Sequence, residues 1–463
     1  MRYIARWFIS AALICLAAAA AHAQNDGNNW IFGSHAGLNF GPVAYAGTPS
    51  INTYEGSSSI SDASGHLRFS TDGVTVWDKN HQVMTGGTGL NGSMSSTQSA
   101  LIVPCPQTDC TKYYIFTTQA GFDPPPLTRA LSYSIVDMNL GGGLGAITAK
   151  NVPLQPDVAE KLTAISDGAG GFWVLAHGFG TATPTVNREY YAYRIRPGTC
   201  LDPNPVVSLG AAHYSGGSDW ARIGQMKVSP DGKRVAAAVG TKMVEVLNFN
   251  TANGQVSGTP LIFNASTPPI QLPTFYGLEF SPDSQLLYTT TLELSGQPSR
   301  LYQLTLSPQG GTLLASGLPG VRDFGQLQLT PNLSKIYLAR AGATKIGEIS
   351  SPNTPINPNF LPQNVQLPPG GTSNLGLPNV VQGSFSCASV SACPAGSVAT
   401  TINGVTYCCS TGTDLPINAE TKEFCCTPAC PLGTTPTVVN GLTFCCDTKT
   451  DADGKVCCSR PFP

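Results

Sequence analysis

Three observations predict an all-β chain built from repeated four-stranded units. A hydrophobic residue leads three times into a Ser/Thr-Pro-Asp/Asn turn and then a β-prone run: Val228-Ser229-Pro230-Asp231-Gly232-Lys233, Phe280-Ser281-Pro282-Asp283-Ser284-Gln285 and Leu329-Thr330-Pro331-Asn332-Leu333-Ser334. The prolines stand 52 and 49 residues apart, and a unit recurring at roughly 40 to 50 residues is the signature of a propeller blade or a solenoid. Gly and Pro together supply 87 of 463 residues while 41% are apolar, which fits a turn-rich β protein with ample core. No long helix is legible. The expected architecture is a seven-bladed β-propeller over residues 24–386, followed by a small disulfide-rich tail over residues 387–463; six blades with an extra edge strand is the alternative.

Residues 1–23 read as a signal peptide. Arg2 and Arg6 precede an apolar stretch from Trp7 to about Ala21, and Ala21-His22-Ala23 has the small-x-small pattern of a cleavage site. Ile14 stands before Cys15 where a lipoprotein needs a small residue, so Cys15 reads as an ordinary leader cysteine. No later stretch approaches the roughly 20 apolar residues of a membrane span. The expected location is outside the cytoplasm: periplasmic, at the cell surface or extracellular. Without the leader, 23 basic residues face 27 acidic ones, a net charge of −4, too mild to imply a nucleic acid as partner.

The same strand, polar turn and strand pattern recurs at Ile60 to Phe69, at Val103 through Cys105 and Cys110 to Phe116, and at Ile165 to Trp173. With the three Pro-centred copies this predicts six hairpins, each followed by further β-prone runs such as Met243 to Phe249 and Arg300 to Leu304. Ring closure usually joins strands from both chain ends. Trp30-Ile31-Phe32 and Leu38-Asn39-Phe40 at the start, with Leu375 to Val381 at the end, are therefore expected to form a composite seventh blade.

Several stretches carry a resemblance. Asn29-Trp30-Ile31-Phe32-Gly33, Ala36-Gly37-Leu38-Asn39-Phe40, Thr71-Asp72-Gly73-Val74-Thr75-Val76-Trp77, Asn80-His81-Gln82-Val83-Met84 and Ser96-Thr97-Gln98-Ser99-Ala100 lie in order along the chain, with Tyr133 to Met138 and Glu160 to Ala164 beyond them. Over roughly residues 28–382 the chain resembles the secreted propeller regions of surface proteins from gliding, Bacteroidetes-type bacteria, related to the YVTN and WD40-like repeat groups. The resemblance implies a β-propeller within a surface protein and transfers no catalytic residue. The cysteine-rich end departs from that pattern.

In the tail, Cys393-Pro394-Ala395-Gly396 with Asn403-Gly404-Val405-Thr406-Tyr407-Cys408-Cys409 matches Cys430-Pro431-Leu432-Gly433 with Asn440-Gly441-Leu442-Thr443-Phe444-Cys445-Cys446, at a constant offset of 37 residues. Each copy runs on to a second doublet, Cys425-Cys426 and Cys457-Cys458, and Cys387 precedes both. Modules this short bury little apolar surface, so disulfides at about 2–4 kcal/mol each are the expected support in an exported chain. No His lies in the tail, which argues against zinc. Asp447, Asp451 and Asp453 lack the first ligand and the distal Glu of a calcium loop. In the body, Cys105 and Cys110 flank a hairpin turn and are expected to bridge across it, leaving Cys200 to fasten the tail, with Cys387 as first partner.

Catalytic signatures are absent from the sequence: there is no Gly-x-Ser-x-Gly, no His-Glu-x-x-His and no phosphate loop. Gly141-Gly142-Gly143-Leu144-Gly145 reads as a flexible hairpin. His81 and His177 read as structural hydrogen-bonding residues at strand ends, and no metal or cofactor is expected. Polar residues recur on one side of the strand entering each Pro turn: Gln225 and Lys227, Glu279, and Gln326 and Gln328. As first strands of blades they would line the central channel, either pairing between blades, as Lys227 with Glu279, or forming a polar ligand site at its mouth with Trp220 and Tyr276. The functional expectation is a non-enzymatic module binding a protein or glycan. The alternative is a lactonase-like hydrolase or lyase, with Glu279 joined by Glu55, Asp72 or His81 around one pocket.

Overall fold

The computed structural model describes residues 25–383 apart from 107–109, 122–128, 181–185, 214–218, 271–273 and 319–322, together with six strands of the tail. The expected leader, 1–23, lies outside the described residues.

Each Pro turn is built by its own short side chains. Ser229 Oγ donates to Asp231 Oδ1 (2.6 Å) and accepts from Arg234 N (3.0 Å), while Ser229 N and Arg234 O close the hairpin at 2.9 Å. Ser281 repeats the pattern with Asp283 (2.6 Å) and Leu286 N (2.9 Å), and Thr330 with Asn332 (2.8 Å) and Lys335 N (3.1 Å). A hydroxyl that both donates and accepts in this way competes with strand continuation and stops the ladder at the turn. The fourth turn position is left-handed in all three: Gly232 at φ 69°, Ser284 at 62° and Leu333 at 54°.

Those turns head three four-stranded antiparallel sheets: β16 (Met226–Val228), β17 (Arg234–Val239), β18 (Met243–Asn250) and β19 (Gln255–Phe263); β20 (Phe275–Phe280), β21 (Leu286–Thr291), β22 (Arg300–Leu306) and β23 (Gln309–Ser316); and β24 (Phe324–Leu329), β25 (Ile336–Arg340), β26 (Lys345–Ile349) and β27 (Phe360–Gln366). Before them comes a five-stranded sheet of β11 (Val158–Ser166), β12 (Phe172–Gly178), β13 (Glu189–Arg196), β14 (Cys200–Leu201) and β15 (Val206–Leu209), in which β14 and β15 both pair with β13. The earlier strands are β1 (Asn29–Phe32), β2 (Ala36–Asn39), β3 (Ser58–Ser61), β4 (Leu67–Thr71), β5 (Thr75–Asp78), β6 (Val83–Thr88), β7 (Ala100–Pro104), β8 (Lys112–Thr117), β9 (Leu131–Asp137) and β10 (Ala146–Gln155). The six expected hairpins are all present as antiparallel pairs.

The expected count of seven blades does not hold. Four units are well-defined blades, but β3 to β10 form one eight-stranded sheet, because β10 pairs in parallel with β6 at Ala146 and Thr85. The expected composite blade is also missing as a four-stranded sheet. Among the described residues β1 pairs only with β2, and the later residues meet the early ones through isolated bridges, Ser34 with Thr372 and Ser57 with Pro378. The arrangement is all-β and propeller-like, with the apolar core lying between neighbouring sheets. Trp173, Leu175 and Tyr190 pack on Met226, Val235 and Leu247, and Val244, Val246 and Phe263 on Leu278, Phe280 and Leu304.

A disulfide joins Cys105 to Cys200 at a Cα separation of 5.2 Å and a sequence separation of 95, so Cys200 is held within the body; Cys110 is disulfide-bonded as well. The β13–β14 turn causes this by returning the chain beside β7, where Gly198 N donates to Pro106 O at 3.1 Å. The tail strands are β28 (Ser397–Ile402), β29 (Val405–Ser410), β30 (Thr427–Pro428), β31 (Thr434–Val439), β32 (Leu442–Thr450) and β33 (Val456–Ser459). The hairpins β28–β29 and β31–β32 share the 37-residue offset residue for residue, Val398 facing Cys409 as Thr435 faces Cys446. The side chains of Cys387, Cys393, Cys408, Cys409, Cys425, Cys426, Cys430, Cys445, Cys446, Cys457 and Cys458 lie outside the described residues.

Candidate functional site

The first strand of a blade has no ladder partner on its inner side, and its N–H groups need acceptors there. Glutamine side chains supply them. Gln225 Oε1 accepts from Leu278 N (2.9 Å) and Leu327 N (3.0 Å), bridging to the next two blades. Gln98 Oε1 does the same for Leu162 N (3.0 Å) and Met226 N (2.7 Å), and Gln326 Oε1 takes Leu377 N at 2.9 Å. Gln326 Nε2 in turn donates to Thr97 O.

Around these amides lie buried charges. Lys227 Nζ stands 3.1 Å from Glu279 Oε2 and donates to Gln328 Oε1. Glu279 also accepts from Phe280 N (3.0 Å) and Leu329 N (2.9 Å), and Gln328 Nε2 donates to Leu329 O at 3.2 Å. Burial pulls the Lys227 ammonium below its ordinary range, and the Glu279 carboxylate opposes that pull. Glu160 accepts from Thr97 N (2.8 Å), Thr97 Oγ1 (3.0 Å) and Gly121 N (2.8 Å), and burial raises its pKa against those bonds. Lys161 donates to the carbonyls of Arg222 (2.9 Å) and Ile223 (2.7 Å); burial pulls it down to about 7, with Glu160 opposing.

All five channel residues singled out from the sequence, Gln225, Lys227, Glu279, Gln326 and Gln328, are thus buried and bonded to one another or to neighbouring backbone. Tyr276 is a fully buried member of β20, packed with Ile223, Leu292 and Leu375, and Trp220 lies half-buried against the same cluster. Burial and the charges of Glu55 and Glu160 hold the Tyr276 hydroxyl well above its usual pKa. The set Glu279, Glu55, Asp72 and His81 does not form a common ligand group. Asp72 accepts from Val74 N and Thr75 N in its own turn, and His81 stands edge-on to Tyr45.

Among the described residues, one group of three could hold a metal: His177, His213 and Glu245, with one ligand atom of each within 4.8 Å of the others. His177 lies near the end of β12, His213 in the connection after β15, and Glu245 in β18 of the next blade. The two rings stack with centroids 3.6 Å apart and planes 8° from parallel. His213 Nε2 lies 2.7 Å from Glu245 Oε2, which also accepts from the Tyr190 hydroxyl at 2.8 Å, and Ala211 N donates to Glu245 Oε1 at 2.5 Å. Burial holds both imidazoles well below their ordinary pKa. Sequence reasoning reads His177 as structural and does not single out His213 or Glu245, since no spacing motif links them.

On the face where the chain turns between β11 and β12 and between β16 and β17 is an open cleft of about 430 Å³, lined by Ser166, Asp167, Pro230, Asp231, Thr251 and Gly383 among others. Its lining carboxylate Asp167 pairs at 2.9 Å with Arg194, which lies over the Trp173 ring at 5.1 Å. Trp173 Nε1 donates to Thr251 O at 2.6 Å.

No family model matches the chain, and no curated protein matches it. Among solved structures it is similar to hydrazine synthase of Kuenenia stuttgartiensis (14% identity, covering 63% of this chain and 72% of that one, TM-score 0.38). It is similar also to a functionally unknown protein from Desulfotomaculum acetoxidans (11%, 76% and 99%, TM-score 0.42) and to the periplasmic gluconolactonase of Pseudomonas aeruginosa (10%, 67% and 93%, TM-score 0.38). Likeness this remote assigns no activity; the sheet order itself makes this an all-β, propeller-like chain.

Proposed function

We propose that the protein is an exported, non-enzymatic propeller-type scaffold that binds a protein or glycan partner through its rim loops, with the cysteine-rich tail as a disulfide-stapled appendage. One observation carries the reading: the polar side chains facing the centre are committed to blade-to-blade bonds. Gln98, Gln225, Gln326 and the Lys227–Glu279 pair hold neighbouring first strands together, so they act as the hub of a rigid ring. Rigid scaffolds carry recognition on loops, and the cleft beside Thr251 is a preformed concavity on the loop face. Its hydroxyl, carboxylate and glycine lining suits a polar partner such as sugar hydroxyls or a peptide backbone. The resemblance to surface propellers of gliding bacteria points the same way. Among the described residues no helix is long and apolar enough to cross a membrane.

The test is retention of the oxidised full chain on envelope fractions, compared with Thr251→Trp, which fills the cleft while keeping the backbone carbonyl that Trp173 uses. Retention by the parent and at least a tenfold loss in the variant is the expected result. Equal retention of both would remove the cleft from the recognition surface, and no retention of either would overturn the surface-binding reading.

A further inference from the structure

We infer that Cys110 is the covalent anchor of the cysteine-rich tail, through a disulfide with Cys387. The argument starts from a count. The body holds three cysteines, Cys105, Cys110 and Cys200, and all three are disulfide-bonded. Three cysteines cannot close among themselves, so a fourth sulfur comes from outside the set. Cys105 and Cys200 satisfy each other, which leaves Cys110 as the one that reaches out. Burial agrees, since Cys105 and Cys200 are buried and Cys110 is half-buried. The tail is odd in the same way: taking Cys15 and the three body cysteines from 15 leaves 11 beyond residue 383. Ten of these form the two matching sets of five, Cys393 to Cys426 and Cys430 to Cys458, which can pair off completely, and Cys387 is the one over. A bond between two copies of the chain through Cys110 would leave that eleventh sulfur single.

The path of the chain supplies the proximity. The last described residues of the body run beside β11: Asn379 Nδ2 donates to Leu162 O (2.8 Å), Gln382 N to Ala164 O (2.8 Å), and Ser166 N to Gln382 O (2.9 Å). The bridge of Ile165 with Gln382 is parallel, so the chain leaves the body at Gly383 on the face of the β11–β12 turn. Cys105 and Cys110 bound the β7–β8 turn, β7 touches β11, and Val381 shares a core cluster with Leu101 and Val103 of β7. Cys387 stands four residues past Gly383, a reach of about 14 Å, while sheets packed face to face lie about 10 Å apart. The disulfide itself spans about 5–6 Å more between Cα atoms. A groove of about 290 Å³, lined in part by Cys105, Lys112, Tyr114 and Cys200, leaves room there for the incoming chain. Forming the bond breaks two S–H bonds and makes one S–S bond; the two electrons and two protons pass to a disulfide oxidant, which leaves as a dithiol. The bridge pins the start of the tail beside the cleft that Gly383 lines, so the appendage stands on that face.

The test is the disulfide map of the oxidised full chain, alkylated without reduction. Cutting before aspartate and after lysine isolates Cys110 in the peptide of residues 109–112, apart from Cys105, and elastase separates Cys387 from Cys393. The 109–112 peptide is expected in disulfide linkage to the peptide that carries Cys387. Cys387→Ser is expected to gain one reactive thiol per chain, located at Cys110, and Cys110→Ser one at Cys387. A protease site inserted after Ser384 gives a second reading: once cut, the tail stays with the body on a non-reducing gel, and it leaves the body in Cys110→Ser. A 109–112 peptide joined to Cys105, to Cys200, to one of the ten paired tail cysteines or to another copy of the chain, or alkylated outright, overturns the proposal. The map is read on the unaltered protein, so misfolding of a variant cannot hide the result.

Discussion

The centre of the ring and the His177–His213–Glu245 group are both buried and polar, yet they differ in how their hydrogen-bonding capacity is used. At the centre, Gln225 and Gln98 each place a carbonyl oxygen where first strands present N–H groups, Gln326 does so for Leu377 N, and Lys227 meets Glu279. Demand and supply match. In the histidine group the donors are spoken for and two acceptors are left over. A buried polar set that closes on itself is architecture; one that leaves two buried lone pairs over holds bonding capacity that the fold does not use.

The strongest way to break that contrast is to open the centre. Glu279→Leu leaves the Lys227 ammonium buried with its ion-pair partner gone, and the loss of one member of such a pair costs about 3–5 kcal/mol. Adding Lys227→Met should restore part of the loss, since the unpaired charge goes with it. Denaturant unfolding of the two variants checks both statements; a double variant less stable than Glu279→Leu would mean that the stranded ammonium is not the main source of the loss. Next in size is Gln225→Leu, which strips the acceptor from Leu278 N and Leu327 N and is expected to cost about 2–4 kcal/mol. His177→Phe should cost less than Gln225→Leu does, because the His177 ring bonds only the carbonyl of its neighbour Gly178 whereas the Gln225 oxygen serves two other blades.

Protonation sharpens the comparison with a smaller effect. Lys161, pressed between Glu160 and the carbonyls of Arg222 and Ile223, is drawn from 10.5 to about 7 by burial. The unfolded lysine keeps its proton across that window while the folded one releases it, so the unfolded chain binds more protons and stability rises with pH from about 7 towards 10. Lys227 is shifted in the same direction. Urea unfolding at pH 7 and pH 9 should show the rise, and Lys161→Met should flatten it. An unchanged slope in that variant would show that the burial of Lys161 is relieved by solvent.

How much of this the sequence discloses depends on how far each bond reaches. The Pro turns are legible because Ser229, Asp231 and Arg234 satisfy one another within a single turn. Alternation places Gln225, Lys227, Glu279, Gln326 and Gln328 on one side of their strands, and the Lys227–Glu279 contact can be anticipated from it. What Gln225 does for Leu278 and Leu327 cannot, because its carbonyl serves backbone of the next two blades. Gln98 stands out only as part of a resemblance. The expected blade count fails where a single edge pairing, Thr85 with Ala146, merges eight strands. His213 reaches His177 only because β15 doubles back onto β13, and Cys200 reaches Cys105 through the tighter β13–β14 turn just before it.

The smallest expected effect concerns the repeat that made the fold legible. The left-handed position of the Pro turn is glycine in one copy, Gly232, and serine or leucine in the others, Ser284 and Leu333. A side chain there costs about 1–2 kcal/mol, and a Cβ at Gly232 would also stand 2.9 Å from Thr251 Cγ2. Gly232→Ala is therefore expected to lose about 1–2 kcal/mol. Ser284 tolerates the same conformation while its hydroxyl accepts from Asp231 N at 3.1 Å, tying one blade's turn to the next. Leu333 tolerates it while packing against the β24–β25 core. Leu333→Gly relieves backbone strain but surrenders half-buried apolar surface of similar worth, so it should move stability by less than about 0.5 kcal/mol. A loss much larger than that would mean the side chain, and not the backbone, selects leucine at this turn; a clear gain would mean the strain is uncompensated there, unlike the closed hydrogen-bond network at the centre of the ring.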